Sequence, residues 1–492
     1  MNILSVAAEC APYAKIGGLG DVVSALPKDW EQLGHNCVIV IPKYRDIDVQ
    51  KYNFQPTNIT VVVPMSSWKE YARVWMGTLP GTKNVRVCLL ESYDYFDRKG
   101  IYGNPDGFSD NDRRFTFLSR ACFEVAKALD FTPDILHAHD YHTSLALAFL
   151  KSHYRFDPRF ARCAGVYTIH NMAFQGQSDP RRVLEFAQLG TQNFRGSWFE
   201  HDGVVNLMKT GLMFADKITT VSPNYANEIR WTSFGEGMQD YVEMRSGDFL
   251  GVLNGADYTE WNPETDTNIK HHYTPETLNE KALVKQELLQ ESVPAYDVQE
   301  DLPLIGMVSR LTDQKGIILV EQVLERLVKS GRVRFAILGS GDSRYERFFN
   351  AMGKKYPTRV LYSNGYNNAL SHKIIAASDY IMVPSLFEPC GLTQIFALKY
   401  GTVPIVRATG GLADTVEEYN PESGTGNGFL FEKYVSRSLL NAISRAVYYY
   451  KSTPHWDTVR LNGMACNYSS RLSAENYINV FTWALQRIGR RT

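Results

Sequence analysis

Nowhere in this 492-residue chain is there the run of about 18–20 apolar residues that a membrane-spanning helix requires. Neither sign of charge prevails: 52 Lys and Arg stand against 53 Asp and Glu, for a net charge of −1. A general nucleic-acid binder normally shows a basic excess or stripe, so the balance argues against that class. The seven cysteines (10, 37, 88, 122, 163, 390, 466) lie singly, with no C-x-x-C pair. That pattern argues against a disulfide framework or a cysteine zinc site and fits reduced, intracellular thiols. No basic residue precedes the apolar run from Ile3, and Glu9 interrupts it early. No secretory signal is therefore expected, and the cytoplasm is the expected location. G-x4-G-K-[ST] does not occur, which counts against a P-loop NTPase. Gly18-Leu19-Gly20 and Gly339-Ser340-Gly341 each follow a strand pattern, but the third glycine of G-x-G-x-x-G is Val23 in one and Arg344 in the other. A hydride-transferring dehydrogenase loses ground accordingly.

What is present is strand and helix in alternation. The length implies two or three domains, and a hydrophobic content of 44% fits a globular protein. Strands are expected at Ile3–Ala8, Cys37–Ile41, Val85–Leu90, Asp134–Ala138, Ala164–Ile169 and Lys217–Val221. A helix from Asp21 to Gly34, bent at Pro27, buries Val22, Val23, Leu26, Trp30 and Leu33; others cover about Arg113–Leu129 and Gly203–Ala215. The pattern breaks between about Gly255 and Asp301, a polar stretch with Pro263, Pro275 and Pro294 that reads as a linker with a peripheral helix. A second series follows, with strands at Leu304–Val308, Arg334–Leu338, Arg359–Tyr362, Tyr380–Val383, Val403–Val406 and Gly428–Phe431. Helices are expected at Ile317–Lys329, Leu370–Ala377, Gln394–Tyr400 and Ser438–Tyr450, and a last one at Ser473–Ile488. The fold class is α/β: two doubly wound parallel-sheet domains, with ligands at the carboxyl ends of their strands. The expected division is 1–255, 256–468, and a terminal helix in 469–492 that packs back on the first domain.

Three segments concentrate anion-binding chemistry. Lys15-Ile-Gly-Gly-Leu-Gly-Asp21 joins a strand to a helix start, where backbone N–H groups and the helix dipole meet an anion. Ser309-Arg310-Leu-Thr-Asp-Gln-Lys315-Gly316 puts a guanidinium fork and an ammonium after a buried strand, either as phosphate ligands or as ordinary surface charges. Phe387-Glu388-Pro-Cys390-Gly391-Leu392-Thr393-Gln394 opens another helix. There Glu388 could accept hydrogen bonds from sugar hydroxyls, or could be a helix-capping acid. His137-Ala-His139-Asp140-Tyr-His142 has an H-x-H-x-x-H spacing but matches no ligand signature, so a polar cluster at a cleft edge is favoured over a metal site.

Together with Thr168-Ile-His170-Asn171, Val252-Leu-Asn254-Gly255 and Thr409-Gly-Gly-Leu-Ala-Asp414, these segments resemble the bacterial glycogen synthase and plant starch synthase family, in order from residue 1 to about 485. The resemblance implies the GT-B fold, two Rossmann-like domains facing across a cleft. It implies transfer of glucose from ADP-glucose to the non-reducing end of an α-1,4-glucan with retention of configuration, and no cofactor or metal. Arg310 and Lys315 would bind the donor diphosphate and stabilise the charge growing on departing ADP, with Lys15 joining them when the cleft closes. Backbone at Gly18, Gly391, Leu392 and Thr393 would assist. Glu388 would contact the transferred glucose; His170 and Asn254 would hold its hydroxyls, and Asp21 donor or acceptor hydroxyls. Asp140 and His139 would line the acceptor side. Tyr366 is a candidate for adenine stacking, and Cys390 belongs to the motif without an evident chemical role. Tyr95, in the aromatic loop Tyr93–Asn111, would either stack on glucan or pack within its own loop. At the second position of the E-x7-E spacing common in retaining GT-B enzymes stands Phe396, so something other than a second carboxylate is expected to hold the ribose. No side-chain nucleophile presents itself, which favours front-face attack. The competing readings are a GT-B transferase using UDP-glucose or another acceptor, and a non-catalytic glucan-binding paralogue.

Overall fold

The computed structural model describes residues 1–103, 107–292, 301–452 and 454–490. Two compact units emerge: Met1–Leu253 together with Ser470–Thr492, and Asn254–Ser469. Pro294 lies outside the described residues.

The N-terminal unit is built on a nine-stranded sheet. Across it run Phe249–Gly251, Lys217–Thr220, Ala164–Ile169, Ile135–His139, Asn2–Val6, Asn36–Pro42 and Arg86–Glu91, all parallel, then Trp68–Thr78 and Gln55–Met65, antiparallel. The central strands are apolar almost without interruption because helices cover both faces, leaving no solvent side to alternate towards. The antiparallel pair goes beyond the expected all-parallel pattern. Its outer strand carries Pro56 and Pro64, and an edge is where a sheet tolerates missing N–H donors.

The first helix runs Gly18–Gln32, starting three residues earlier than expected, and Pro27 lies inside it without ending it. Gly34 follows at φ +83°, a left-handed stop. The helix expected over Gly203–Ala215 is instead a short strand, Val204–Asn206, and a helix Leu207–Phe214, with Asn206 accepting from the Lys209 N–H as N-cap. The last helix, Ser470–Arg487, packs on the first. Trp30 donates to the Ala474 carbonyl at 3.3 Å and lies 5.2 Å from the Phe481 ring, while Arg490 pairs with Asp134 at 2.7 Å.

The C-terminal unit holds a six-stranded parallel sheet in the order Val360–Asn364, Arg334–Gly339, Leu304–Val308, Tyr380–Val383, Val403–Arg407, Phe429–Phe431. The helix Ile317–Lys329 buries Leu319, Val320, Val323, Leu324, Leu327 and Val328 against it, a stripe at helical period. The central strand, Leu304–Val308, is flanked by Arg334–Gly339 and Tyr380–Val383, so the loops after these strands share one end of the sheet. Those loops carry the Arg310, Gly339–Gly341 and Glu388 segments.

Candidate functional site

In the C-terminal unit the loop after Leu304–Val308 and the loop after Tyr380–Val383 lock together. The Leu386 N–H donates to the Gln314 carbonyl at 2.8 Å. Lys315 Nζ meets Glu388 Oε2 at 2.6 Å, and Ser385 Oγ donates to the same oxygen at 2.8 Å. Glu388 is buried at 6% exposure, and its charge is matched by one ammonium rather than spent on a helix end. Arg310 is exposed, its guanidinium reaching Gln314 Oε1 at 3.4 Å.

Two glycines make this packing possible. A Cβ on Gly316 (φ +72°) would stand 2.0 Å from the Pro384 carbonyl oxygen, and one on Gly410 (φ +46°) 1.8 Å from that of Glu388. The Gly411 N–H donates to the Glu388 carbonyl at 3.1 Å, so the Thr409–Asp414 motif is the floor on which the Glu388 loop rests.

Gly391 takes φ +73°, and the helix Thr393–Lys399 begins behind it with Leu392 as N-cap and no side-chain cap. Gln394 Nε2 donates to the Cys390 and Gly391 carbonyls at 3.1 and 2.9 Å, which fixes the turn from within. The Cys390 thiol donates to the Gly391 carbonyl and faces the Asn254 carbonyl at 3.9 Å. Burial pushes that thiol up, so it is no nucleophile at neutral pH. Asn254 is buried, yet its Oδ1 has no hydrogen-bond partner among the described residues. A buried amide oxygen left open in this way suits an incoming donor hydroxyl.

In the N-terminal unit, Glu9 organises the glycine turn. Its Oε2 accepts the Ile16 and Gly17 N–H groups at 2.7 and 3.1 Å, and its Oε1 accepts the Tyr102 hydroxyl at 2.5 Å. Burial raises its pKa, outweighing these hydrogen bonds. Lys15 pairs with Asp21 at 2.7 Å, both side chains about one-third exposed. Gly18 is the first helical residue, and no side chain caps the helix it opens.

At the ends of the two neighbouring strands, Asp140 sits at φ +53° and accepts the His170 N–H at 2.7 Å. Burial lifts its pKa to about 7 against the pull of the His170 and Asn171 amides. His139 Nδ1 meets His170 Nε2 at 3.0 Å. Burial holds His170 and His137 at about 3 and His139 well below its usual value, so all three are neutral imidazoles. They can exchange hydrogen bonds with hydroxyls but carry no charge to offer phosphate. Beside them, an open cavity of about 360 Å³ is lined by Tyr141, Phe174, Gln175 and Glu236, among others. Among the described residues no group of three His, Cys, Asp or Glu stands so as to hold a metal.

A family model for the starch synthase catalytic domain matches residues 2–244, and one for glycosyl transferases group 1 matches residues 290–453. Glycogen synthase 1 of Geobacter sulfurreducens is 40% identical over 490 residues, covering 99% of this chain and 97% of its own. Glycogen synthase of Pseudothermotoga lettingae is 40% identical over 492 residues, covering 99% of both. This chain belongs to the glycogen synthase and starch synthase family. The solved catalytic domain of starch synthase IV from Arabidopsis thaliana, bound to ADP and acarbose, is 30% identical with a TM-score of 0.90 over 99% of both chains. A sucrose-phosphate synthase from Thermosynechococcus elongatus, 17% identical with a TM-score of 0.58 over 99% of this chain and 96% of its own, shares the fold alone. The fold is GT-B, and the function is that of a glycogen or starch synthase.

Within this synthase the structure joins Lys315 to Glu388 and His139 to His170, pairings that the sequence motifs leave unstated. It also removes one candidate. Tyr95 is not a loop platform for glucan: it is buried in the helix Tyr93–Phe96, stacks on Phe117 at 4.8 Å and donates to Glu70. Tyr366 is 69% exposed, and its hydroxyl donates to Asn368 Oδ1 at 2.9 Å. Glu9 and Tyr102 were not legible as site residues. The only hint was an acid at the end of an apolar strand, and Tyr102 reaches it from 93 residues away.

Proposed function

We propose that this chain transfers glucose from ADP-glucose to the non-reducing end of an α-1,4-glucan with retention of configuration, without a divalent metal. The observation that carries the reading is the Lys315–Glu388 pair at 2.6 Å beside an exposed Arg310. Arg310 and Lys315 hold the diphosphate and stabilise the negative charge that grows as the glycosidic C–O bond to ADP breaks. Glu388, held by Lys315 and Ser385, orients the glucose hydroxyls. Asn254 Oδ1 accepts a further hydroxyl. The amides of Gly391, Leu392 and Thr393 complete the anion site, and Tyr366 stacks on adenine. Cys390 packs against the turn.

For the N-terminal unit the reading assigns Lys15 and the Gly18 amide to phosphate oxygens and Asp21 to sugar hydroxyls. Asp140, His139 and His170 take the acceptor side, where the neutral imidazoles match uncharged glucan. The reading gives fixed cations the part that a metal ion plays in other transferases, and it takes front-face attack as the route to retention. The seven free thiols, six of them buried, fit a cytoplasmic setting. The test is labelled-glucose transfer onto maltooligosaccharide from ADP-glucose and from UDP-glucose, each with and without chelator. Chelator-insensitive transfer with ADP-glucose preferred is expected. A metal requirement or a preference for UDP-glucose overturns the corresponding clause, and no transfer from either donor favours a glucan-binding paralogue.

A further inference from the structure

Behind the Glu388–Thr393 loop lies a stack of three rings that none of the assignments above uses. Trp261 lies flat against Phe396, with centroids 3.9 Å apart and planes 4° off parallel. Its opposite face lies flat against His372, at 3.6 Å and 12°. All three are nine-tenths or more buried. Offset or tilted contacts suffice to fill a core, so two successive near-parallel contacts on one indole specify its plane.

The stack is anchored from behind. Asp266 accepts from His372 Nδ1 at 2.8 Å and from the Tyr400 hydroxyl at 2.6 Å. Burial works against ionisation, but these hydrogen bonds hold the Asp266 carboxyl at about 2, so it remains an anion across the working range. His372 Nε2 is buried without a hydrogen-bond partner among the described residues, with the Glu260 carboxylate 3.8 Å away. Asp266 therefore grips both ends of the arrangement: the imidazole at the back of the stack and Tyr400 just past the helix that bears Phe396.

That helix is Thr393–Lys399, and its amino end is the Gly391–Thr393 turn. The segment that carries Trp261 is the one that begins with Asn254. It touches the turn at Cys390 through the Asn254 carbonyl, and the helix again where Lys399 Nζ lies 5.3 Å from the Tyr258 ring. Asn254, Tyr258 and Trp261 thus clamp the loop and helix at three successive points.

We propose that Trp261 is a positioning residue of the donor site: sandwiched between His372 and Phe396, it sets the helix whose first turn offers its amides to the donor's diphosphate. The inference rests on the reading of the Glu388–Thr393 loop as the nucleotide-sugar site. Aromatic stacking fixes the helix along the ring normal while leaving it no polar alternative. Loss of the indole lets the Gly391–Thr393 amides drift from the phosphate oxygens, whereas Arg310, on another loop, keeps its place.

The test measures ADP binding by calorimetry and the steady-state KM and kcat for ADP-glucose on the full chain, for wild type, Trp261→Phe and Trp261→Leu. Trp261→Phe keeps a flat ring and should stay within about threefold of wild type in both. Trp261→Leu should raise the ADP Kd and the donor KM together by about tenfold, with kcat much less changed. Should Trp261→Leu fail to fold, Phe396→Leu removes the other half of the same contact and carries the same expectation. Wild-type ADP affinity in the leucine variant, or equal impairment of the phenylalanine and leucine variants, overturns the proposal and reduces the stack to ordinary packing. A wild-type protein that does not bind ADP overturns the reading beneath it, and the positioning role with it.

Discussion

Lys315 and Glu388 are the pair on which the residue-scale account turns. A buried carboxylate without a partner would protonate or pull in water, and a lone ammonium would bind any anion. Held at 2.6 Å, each keeps the other in place before substrate arrives. Lys315→Ala or Arg310→Ala is expected to lower kcat/KM by about 10²–10³, the usual effect of removing a preorganised donor from a developing anion. Lys315→Arg should not restore activity, since a planar fork cannot occupy the point-charge position against Glu388; steady-state kinetics decide both. Asp140 makes a separate prediction. Its folded pKa of about 7 lies above the unfolded carboxylate value of about 3.9, so the folded state keeps a proton that the unfolded chain has released. Stability contributed at this position therefore falls as pH rises from about 4 to 7 and is level above. Asp140→Asn should gain on wild type by about 1–3 kcal/mol over that window in denaturant titrations at pH 4.5 and 8, and a gap that does not change with pH contradicts the assignment.

At the scale of elements, the loops are held by glycines that admit no side chain. Gly410→Ala puts a methyl group onto the Glu388 carbonyl in a left-handed backbone, and it is expected to cost about 1–3 kcal/mol and most of the activity. Gly34→Ala has a similar φ, +83°, but nothing within 4 Å of the new Cβ. It should cost only about 1 kcal/mol and leave kinetics alone; thermal melts and rates on the two variants separate close approach from backbone strain. The contrast also shows what the sequence could reveal. Parallel strands such as Asn36–Pro42 and Arg334–Gly339 were legible because burial on both faces makes them uniformly apolar. The edge hairpin was not, since Gln55–Met65 buries only Val61, Val63 and Met65 and carries two prolines. The helix Leu145–Lys151 was hidden by being apolar on every side, and Ser343–Lys355 by its few buried anchors, Tyr345, Phe349 and Met352. Site motifs could be read because each sits at a strand end, where backbone amides cluster. The partners that hold them could not: Glu9 with Tyr102, Lys315 with Glu388 and Trp261 with Phe396 are joined by topology rather than by spacing.

For the whole molecule, the chain leaves the N-terminal unit after Leu253 and returns at Ser470 to complete it. The returning helix buries Tyr477, Val480, Phe481 and Leu485, and Trp30 lies against it. Each such side chain is worth about 1.5–3 kcal/mol when fully buried, so a chain ending at residue 469 should lose the fold of its N-terminal unit, while the six-stranded sheet of the C-terminal unit keeps its own core. Limited proteolysis checks this, with protection expected only over Asn254–Ser469. The account as a whole stands on fixed protein cations doing the work at the leaving diphosphate. Its most direct test is glucose transfer from ADP-glucose to maltooligosaccharide in excess chelator, comparing wild type with Arg310→Ala and Lys315→Ala. The account predicts full wild-type rates under chelation and a loss of about 10²–10³ in either variant; a chelator-sensitive wild type, or variants with near-normal kcat/KM, would contradict it.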